Sequence, residues 1–294
     1  MLLVAAALPV RAAARFDATP RIAIVSAFGA ELELLQAQMQ ARRSYRANGV
    51  VFTTGRLRGK AVVAMLCGVS MVNAAMNTQL LLERFRVTHL LVSGIAGGVN
   101  PALPIGDVTV AQRWGQYLEV LLARESAPGQ YALPPWSTDS GLPHNGMQYT
   151  RPVRVLRAGL EQPESKFWFE TDPTLLERAR SLSGLALARC ADAEHCLAHQ
   201  PQLVVGGNGV SGQAFVDNAA FREYVHSAFQ ADLLDMESAA IAHVAHSNGV
   251  PFIAFRSLSD LAGGGAGANE IELFFQVAAD NAAATVLAFL AAWK

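Results

Sequence analysis

Acidic residues, an arginine and a serine gather around the ends of one helical run and one strand-like run in residues 234–260. Asp235, Met236 and Glu237 open a stretch in which Ile241, Val244 and Ala245 recur at helical spacing, and Asn248, Gly249 and Pro251 close it. Residues 252–255 then read as a buried strand that ends in Arg256, Ser257, Leu258, Ser259 and Asp260. Polar residues at the C-terminal edge of a strand are where an α/β protein binds its ligand. Another acid comes from far upstream. Residues 21–26 read as a strand, Leu32, Leu34, Leu35 and Met39 as one face of a helix, and the turn at 27–30, which carries Phe28, delivers Glu31 near the same kind of edge. Taken alone, Glu31 needs no more explanation than the attraction of an acid to a helix N-terminus.

The elements that must position these groups belong to a chain of 294 residues, 52% hydrophobic and 16% charged, which can bury a large core without disulfide or metal. One domain over residues 21–294 is expected. With a formal charge of −1 and no basic run, nucleic acid is not an expected partner, whereas a small neutral or mildly polar molecule is. Nothing after the N-terminus reaches the ~18 consecutive apolar residues of a membrane span, so no membrane partner is expected either. Residues 1–20 stand apart: an apolar run at 2–10 precedes Ala12, Ala13 and Ala14, an A-x-A cleavage pattern. They read as a signal-peptide remnant or tail, and a periplasmic or secreted location is expected, with the cytoplasm as the alternative. In an exported chain Cys190 and Cys196 would pair, while Cys67 reads as a small buried hydrophobe. His243 and His246, like His195 and His199, fit no standard zinc spacing, so neither metal nor cofactor is expected.

Residues 51–57 and 61–66 read as a hairpin turned at Arg58, Gly59 and Lys60, followed by a helix over 71–85 and a strand over 87–92. The cluster Ser93, Gly94, Ile95, Ala96, Gly97, Gly98 after that strand suits either a tight turn or close backbone approach to a ligand. Residues 107–111 read as a strand. From about 113 to 200 lies an irregular excursion, a lid or dimer contact in which only 172–187 reads as helical. Gly207, Gly209 and Gly212 match G-x-G-x-x-G, but Gln213–Asp217, residues 213–217, show no amphipathic helix behind them, and no nucleophile elbow G-x-S-x-G occurs. Residues 270–293 read as a long core helix whose Phe274 is placed to line a pocket.

In collinear order, residues 21–32, 93–107, 210–216, 234–245 and 251–260 resemble the nucleoside phosphorylase superfamily, and within it the methylthioadenosine/S-adenosylhomocysteine nucleosidases. The resemblance implies a three-layer α/β/α sandwich around a twisted mixed sheet, a purine nucleoside as substrate, and a homodimer. It makes Glu31 the base that activates a water and Asp260 the residue that serves the purine at N7. It makes Phe215 and the Val216 backbone the base site, and Met236 and Glu237 the ribose floor. Arg256 and Ser259 become flanking electrostatic partners, and Phe28 and Phe274 surround the ribose and 5′ substituent. Phosphorylases of this kind carry arginines for phosphate after the first strand and before the glycine cluster. Here residues 26–30 contain none, and Leu91 and Val92 occupy the second place. A hydrolase releasing adenine is therefore expected, with a phosphate-dependent phosphorylase or a non-catalytic nucleoside-binding or storage protein as alternatives.

Overall fold

The computed structural model describes residues 14–157 and 159–293. Most of the expected signal segment lies outside them. The chain opens with β1 (Pro20–Ser26), α1 (Ala30–Gln38), β2 (Gln40–Ala47), β3 (Val50–Leu57), β4 (Lys60–Leu66), α2 (Met71–Arg84) and β5 (Arg86–Gly98). It continues through β6 (Val108–Val110), β7 (Arg113–Gln116), β8 (Trp168–Glu170), α3 (Pro173–Arg180), β9 (Leu203–Val205) and β10 (Asn208–Ser211). It closes with α4 (Ala219–Phe229), β11 (Ala231–Asp235), α5 (Ser238–Asn248), β12 (Phe252–Asp260) and α6 (Ile271–Ala292).

All twelve of these strands join one mixed sheet in the order β8-β7-β10-β11-β5-β1-β4-β3-β2, with β12 pairing β5 and β6, and β9 pairing β6. The long β5 is its spine. Its first half runs parallel to β1, its middle parallel to β12, and its last residues, Gly97 and Gly98, pair antiparallel with β11. Buried side chains sort to the two faces: Ala74, Leu80 and Leu81 of α2 and the Ala239–Ala245 stretch, 239–245, of α5 on one. Leu32 and Leu35 of α1, Leu175 and Leu176 of α3, and Val286 to Leu290 of α6 cover the other. The result is the expected three-layer α/β/α sandwich. By length and composition α6 could cross a membrane, yet 61% of its apolar window is buried, as befits a core helix.

Local signals explain the joints. The hairpin β3–β4 turns at Arg58 and Gly59, both at positive φ (48° and 78°), the backbone a two-residue turn needs to follow strand twist. Gly249, at φ 65°, stops α5 and returns its N–H to Ala245 and His246 carbonyls.

Four readings of the sequence are corrected. Residues 93–98 form no turn: β5 runs through them, because their small side chains leave room for what crosses beside the strand. The helix expected over 172–187 spans only Pro173–Arg180, capped by Asp172, whose carboxylate accepts from the Thr174 and Leu175 N–H groups. The excursion is not wholly irregular, since it begins and resumes in the sheet with β7 and β8, where Trp114 is fully buried. Residues 256–260 lie within β12, every residue of which is buried, not beyond a strand's end. The G-x-G-x-x-G match falls on β10, consistent with rejecting a dinucleotide turn. Cys190 and Cys196 form a disulfide, and Cys67 is buried.

Candidate active site

At the end of β1 the chain turns through Ala27 and Phe28 into α1, and Glu31 bends back onto that turn. Its Oε2 accepts from the Ala27 N–H (2.6 Å) and Phe28 N–H (3.4 Å), and its Oε1 from the Ile95 N–H on β5 (2.9 Å). The helix-dipole explanation is thus incomplete, because Glu31 is 1% exposed and bound to specific donors.

Arg256, in the middle of β12, is the hub of the site. Its Nη1 lies 3.4 Å from Glu31 Oε1 and donates to the Ile95 carbonyl (3.2 Å), and its Nη2 donates to Glu237 Oε2 (3.2 Å). Its Nε donates to Ser238 Oγ (3.0 Å) and forms a close ion pair with Asp235 Oδ2 at 2.8 Å. Asp235 in turn caps α5: its Oδ1 accepts from the Glu237 and Ser238 N–H groups (3.2 and 3.1 Å) and from the Ser211 hydroxyl. Glu237 Oε1 accepts from the Ser70 N–H (2.8 Å) at the start of α2. Gly94 makes this crossing possible, since a Cβ there would overlap both Glu31 Oε1 and Arg256 Nη1.

Asp260 ends β12. It is 2% exposed, with Oδ1 accepting from the Ala262 N–H and Oδ2 from the Ser259 hydroxyl, each at 2.8 Å.

These groups border one concave pocket that opens to solvent. Eight of the ten expected residues line it: Phe28, Glu31, Phe215, Val216, Met236, Glu237, Ser259 and Asp260. Two do not. Arg256 stands behind the wall, occupied by carboxylates, because its 1% exposure leaves no surface for a ligand. Phe274 turns the other way, against Ile105, Leu197 and Val277, and Ile271 one turn earlier lines the cavity instead. Asp235, named from the sequence only as the start of the helical run, and Val69 also line it; the signal available for Asp235 was its place two residues before the N-cap of α5, where its carboxylate accepts from the Glu237 and Ser238 N–H groups.

The electrostatics follow from burial. Three of the four buried carboxylates, Glu31, Asp235 and Glu237, share one arginine, whereas Asp260 has no cation beside it. Burial raises the Glu31 acid above its ordinary range against the pull of Arg256 and three backbone N–H groups. Glu237 is pushed up to about 7, by burial first, with Arg256 opposing and the Asp235 and Glu31 charges adding. Burial also raises Asp260, against its Ala262 and Ser259 hydrogen bonds. The site therefore holds one group, Glu237, that exchanges its proton near neutrality, beside two carboxylates whose acid forms burial favours. No lysine or exposed arginine lines the cavity, so an anion would meet only carboxylates there. Among the described residues no group of His, Cys, Asp and Glu has the arrangement to hold a metal ion.

Residues 21–291 match the phosphorylase superfamily. A 5′-methylthioadenosine/S-adenosylhomocysteine nucleosidase of Geobacillus thermodenitrificans is 29% identical over 271 residues, 92% of this chain and 96% of that protein. One of Mycobacterium tuberculosis is 26% identical over 262 residues, 89% and 93% of the two chains. The solved structure of the nucleosidase from S. pneumoniae with a transition-state inhibitor aligns at a TM-score of 0.68 and 25% identity, covering 93% of this chain and all of that one. The chain belongs to the phosphorylase superfamily.

Proposed function

We propose that the protein is an N-glycosyl hydrolase that cleaves methylthioadenosine- or S-adenosylhomocysteine-type nucleosides to adenine and the free sugar. One observation carries this: Glu31, Glu237 and Asp260, from three separate elements, line a single cavity that presents no cation to a phosphate. The names of the relatives support the substrate class.

Water hydrogen-bonded to Glu31 loses a proton to that carboxylate as its oxygen attacks C1′, while the bond from C1′ to the purine breaks and its electron pair leaves with the base. Glu237 accepts from the ribose hydroxyls and Met236 forms the floor beneath the sugar. Phe215 stacks on the purine and the Val216 backbone reads its edge. Asp260, whose acid form burial favours and whose carboxyl accepts from the Ser259 hydroxyl, delivers a proton to N7. The positive sugar and negative purine of the transition state thus each face a group of suitable charge.

Exposed apolar side chains on α2, Val72 (65%) and Met76 (58%), and at the cavity, Val69 (46%) and Phe215 (56%), support a homodimer closing over the site. The A-x-A pattern and the Cys190–Cys196 disulfide support export.

The test is incubation with methylthioadenosine, S-adenosylhomocysteine and adenosine, with and without phosphate. Adenine and free sugar without phosphate are expected. Release that requires phosphate would make the protein a phosphorylase.

A further inference from the structure

Between Glu33 and Glu83 the sequence holds no acidic residue but six cations: Arg42, Arg43, Arg46, Arg56, Arg58 and Lys60. They form no run along the chain. Folding assembles them, because β2 is the last strand of the sheet, β3 is its antiparallel neighbour, and the β3–β4 turn carries Arg58 beside them. The five arginines are exposed, and none has an ion-pair partner among the described residues. Arg42 and Arg56 reach only backbone carbonyls, those of Gln36 (3.3 Å) and Gly59 (2.9 Å). The acid nearest in the adjoining groove, Asp17, is taken by Arg21 at 2.5 Å. A nearly neutral protein therefore carries one strongly cationic edge.

Charge on an edge strand also hinders strand-to-strand aggregation. That purpose is served by a single lysine or a mixture of signs, and it does not call for acids to be absent from β2, β3 and β4 together.

We infer that this β2–β4 edge docks the protein on an anionic lipid surface. Unpaired cations along one edge of the sheet, with Arg43 and Arg46 directed to its opposite faces, gain from the potential of acidic headgroups within a Debye length. Nucleic acid fits less well: of the edge's aromatics, Tyr45 is stacked on Phe16 at 5.2 Å and Phe52 is buried, so neither is free to stack on bases. Phe16 also shows where the N-terminal segment meets the fold, at this same edge, with its N–H on the Arg84 carbonyl (2.8 Å). If residues 1–14 are removed, the chain begins here with Arg15 and its ammonium group. If they are retained, the sequence adds an apolar run at 2–10 to the cationic edge, and a polybasic patch together with an apolar segment supplies two membrane signals. The cavity lies at the other end of β1, β5 and β12, so docking leaves it free.

The full chain is sedimented with vesicles of phosphatidylcholine alone and with 30 mol% phosphatidylglycerol. Binding to the acidic vesicles only is expected, abolished by 0.5 M NaCl and falling roughly fivefold for each arginine neutralised. The R42Q/R43Q/R46Q triple variant, whose side chains line no part of the catalytic cavity, should lose at least tenfold in acidic-vesicle binding while keeping wild-type adenine release, which shows that it folds. Equal binding to both vesicle types would place the contact in the apolar segment and overturn the inference. So would no binding, an unaffected triple variant, or tighter binding to heparin or RNA than to the acidic vesicles. The vesicle comparisons do not depend on the proposed reaction, and an unchanged Tm serves as the folding control for the triple variant should adenine release be absent from wild type as well.

Discussion

The Glu31 carboxylate and the Arg256 guanidinium meet at 3.4 Å, and each side chain is 1% exposed. The base expected to act on water is thus tied to a cation that never reaches the ligand. Arg256 also pairs with Asp235 and Glu237, so it holds three carboxylates in one place at once. Removing one partner of a buried ion pair costs about 3–5 kcal/mol. Arg256→Met is expected to lower Tm by roughly 10 °C and to abolish turnover, with Arg256→Lys intermediate because it keeps the charge and loses the fork. Calorimetry and adenine release check this; a methionine variant of unchanged Tm would show that the carboxylates need no common counter-ion.

Gly94 gives a steric test of the same assembly. In Gly94→Ala the added methyl overlaps Glu31 Oε1 and Arg256 Nη1, groups that cannot move without breaking their pair. A fall in kcat of at least about 10²-fold is expected, comparable to losing one acid–base contribution. Wild-type kinetics would mean that the crossing beside β5 is looser than described.

Activity and stability should move in opposite directions with pH. Glu237 binds its proton more tightly folded, with a pKa of about 7, than unfolded, near the ordinary carboxylate value of 4.5. The stability it contributes is complete below 4.5 and is lost as pH rises through 7. Half-buried His89 and His243, whose values burial lowers, have the opposite sign below 6.5 and drop out above it. From pH 6.5 to 8, Tm is therefore expected to fall while kcat/KM rises as Glu237 ionises to accept the ribose hydroxyls. Glu237→Gln should flatten the Tm slope. A Tm that rises with pH over that window would contradict the assignment.

The Cys190–Cys196 disulfide closes a short loop whose Leu197 packs against Ile105 and Val277, away from the cavity. Chain-entropy reasoning for so small a loop gives about 2 kcal/mol. Cys190→Ser/Cys196→Ser should lower Tm by several degrees with kcat/KM within about twofold of wild type. A tenfold loss of kcat/KM would give the loop a part in catalysis.

Periodicity and stop signals made β1, α2, α5 and α6 legible, because each buries a continuous apolar face and ends at a clear break. The outer strand β2 was not, since its exposed, arginine-rich residues show no apolar alternation. Nor was α4, a helix that buries only Val225 and Phe229. At the site, Glu237 and Asp260 could be placed at a ligand-binding edge by type and position, whereas Glu31, taken alone an ordinary acid at a helix N-terminus, was assigned only through the family resemblance. The partnership of Arg256 could not be read, because its three acids approach from α1, β11 and the start of α5, and no spacing along the chain records that. Phe274 failed for a related reason: its phase on α6 is set by packing on Ile105 and Leu197, which sequence does not show.

The central claim is that Glu31 activates the attacking water while taking little part in holding the nucleoside. The most direct measurement compares wild type with Glu31→Gln, following adenine release from methylthioadenosine in phosphate-free buffer and the rise in Tm caused by an adenosine analogue. The variant is expected to keep the ligand-induced rise and to lose turnover by about 10²–10⁴-fold. Turnover within a few-fold of wild type would contradict the account and remove Glu31 from the chemistry.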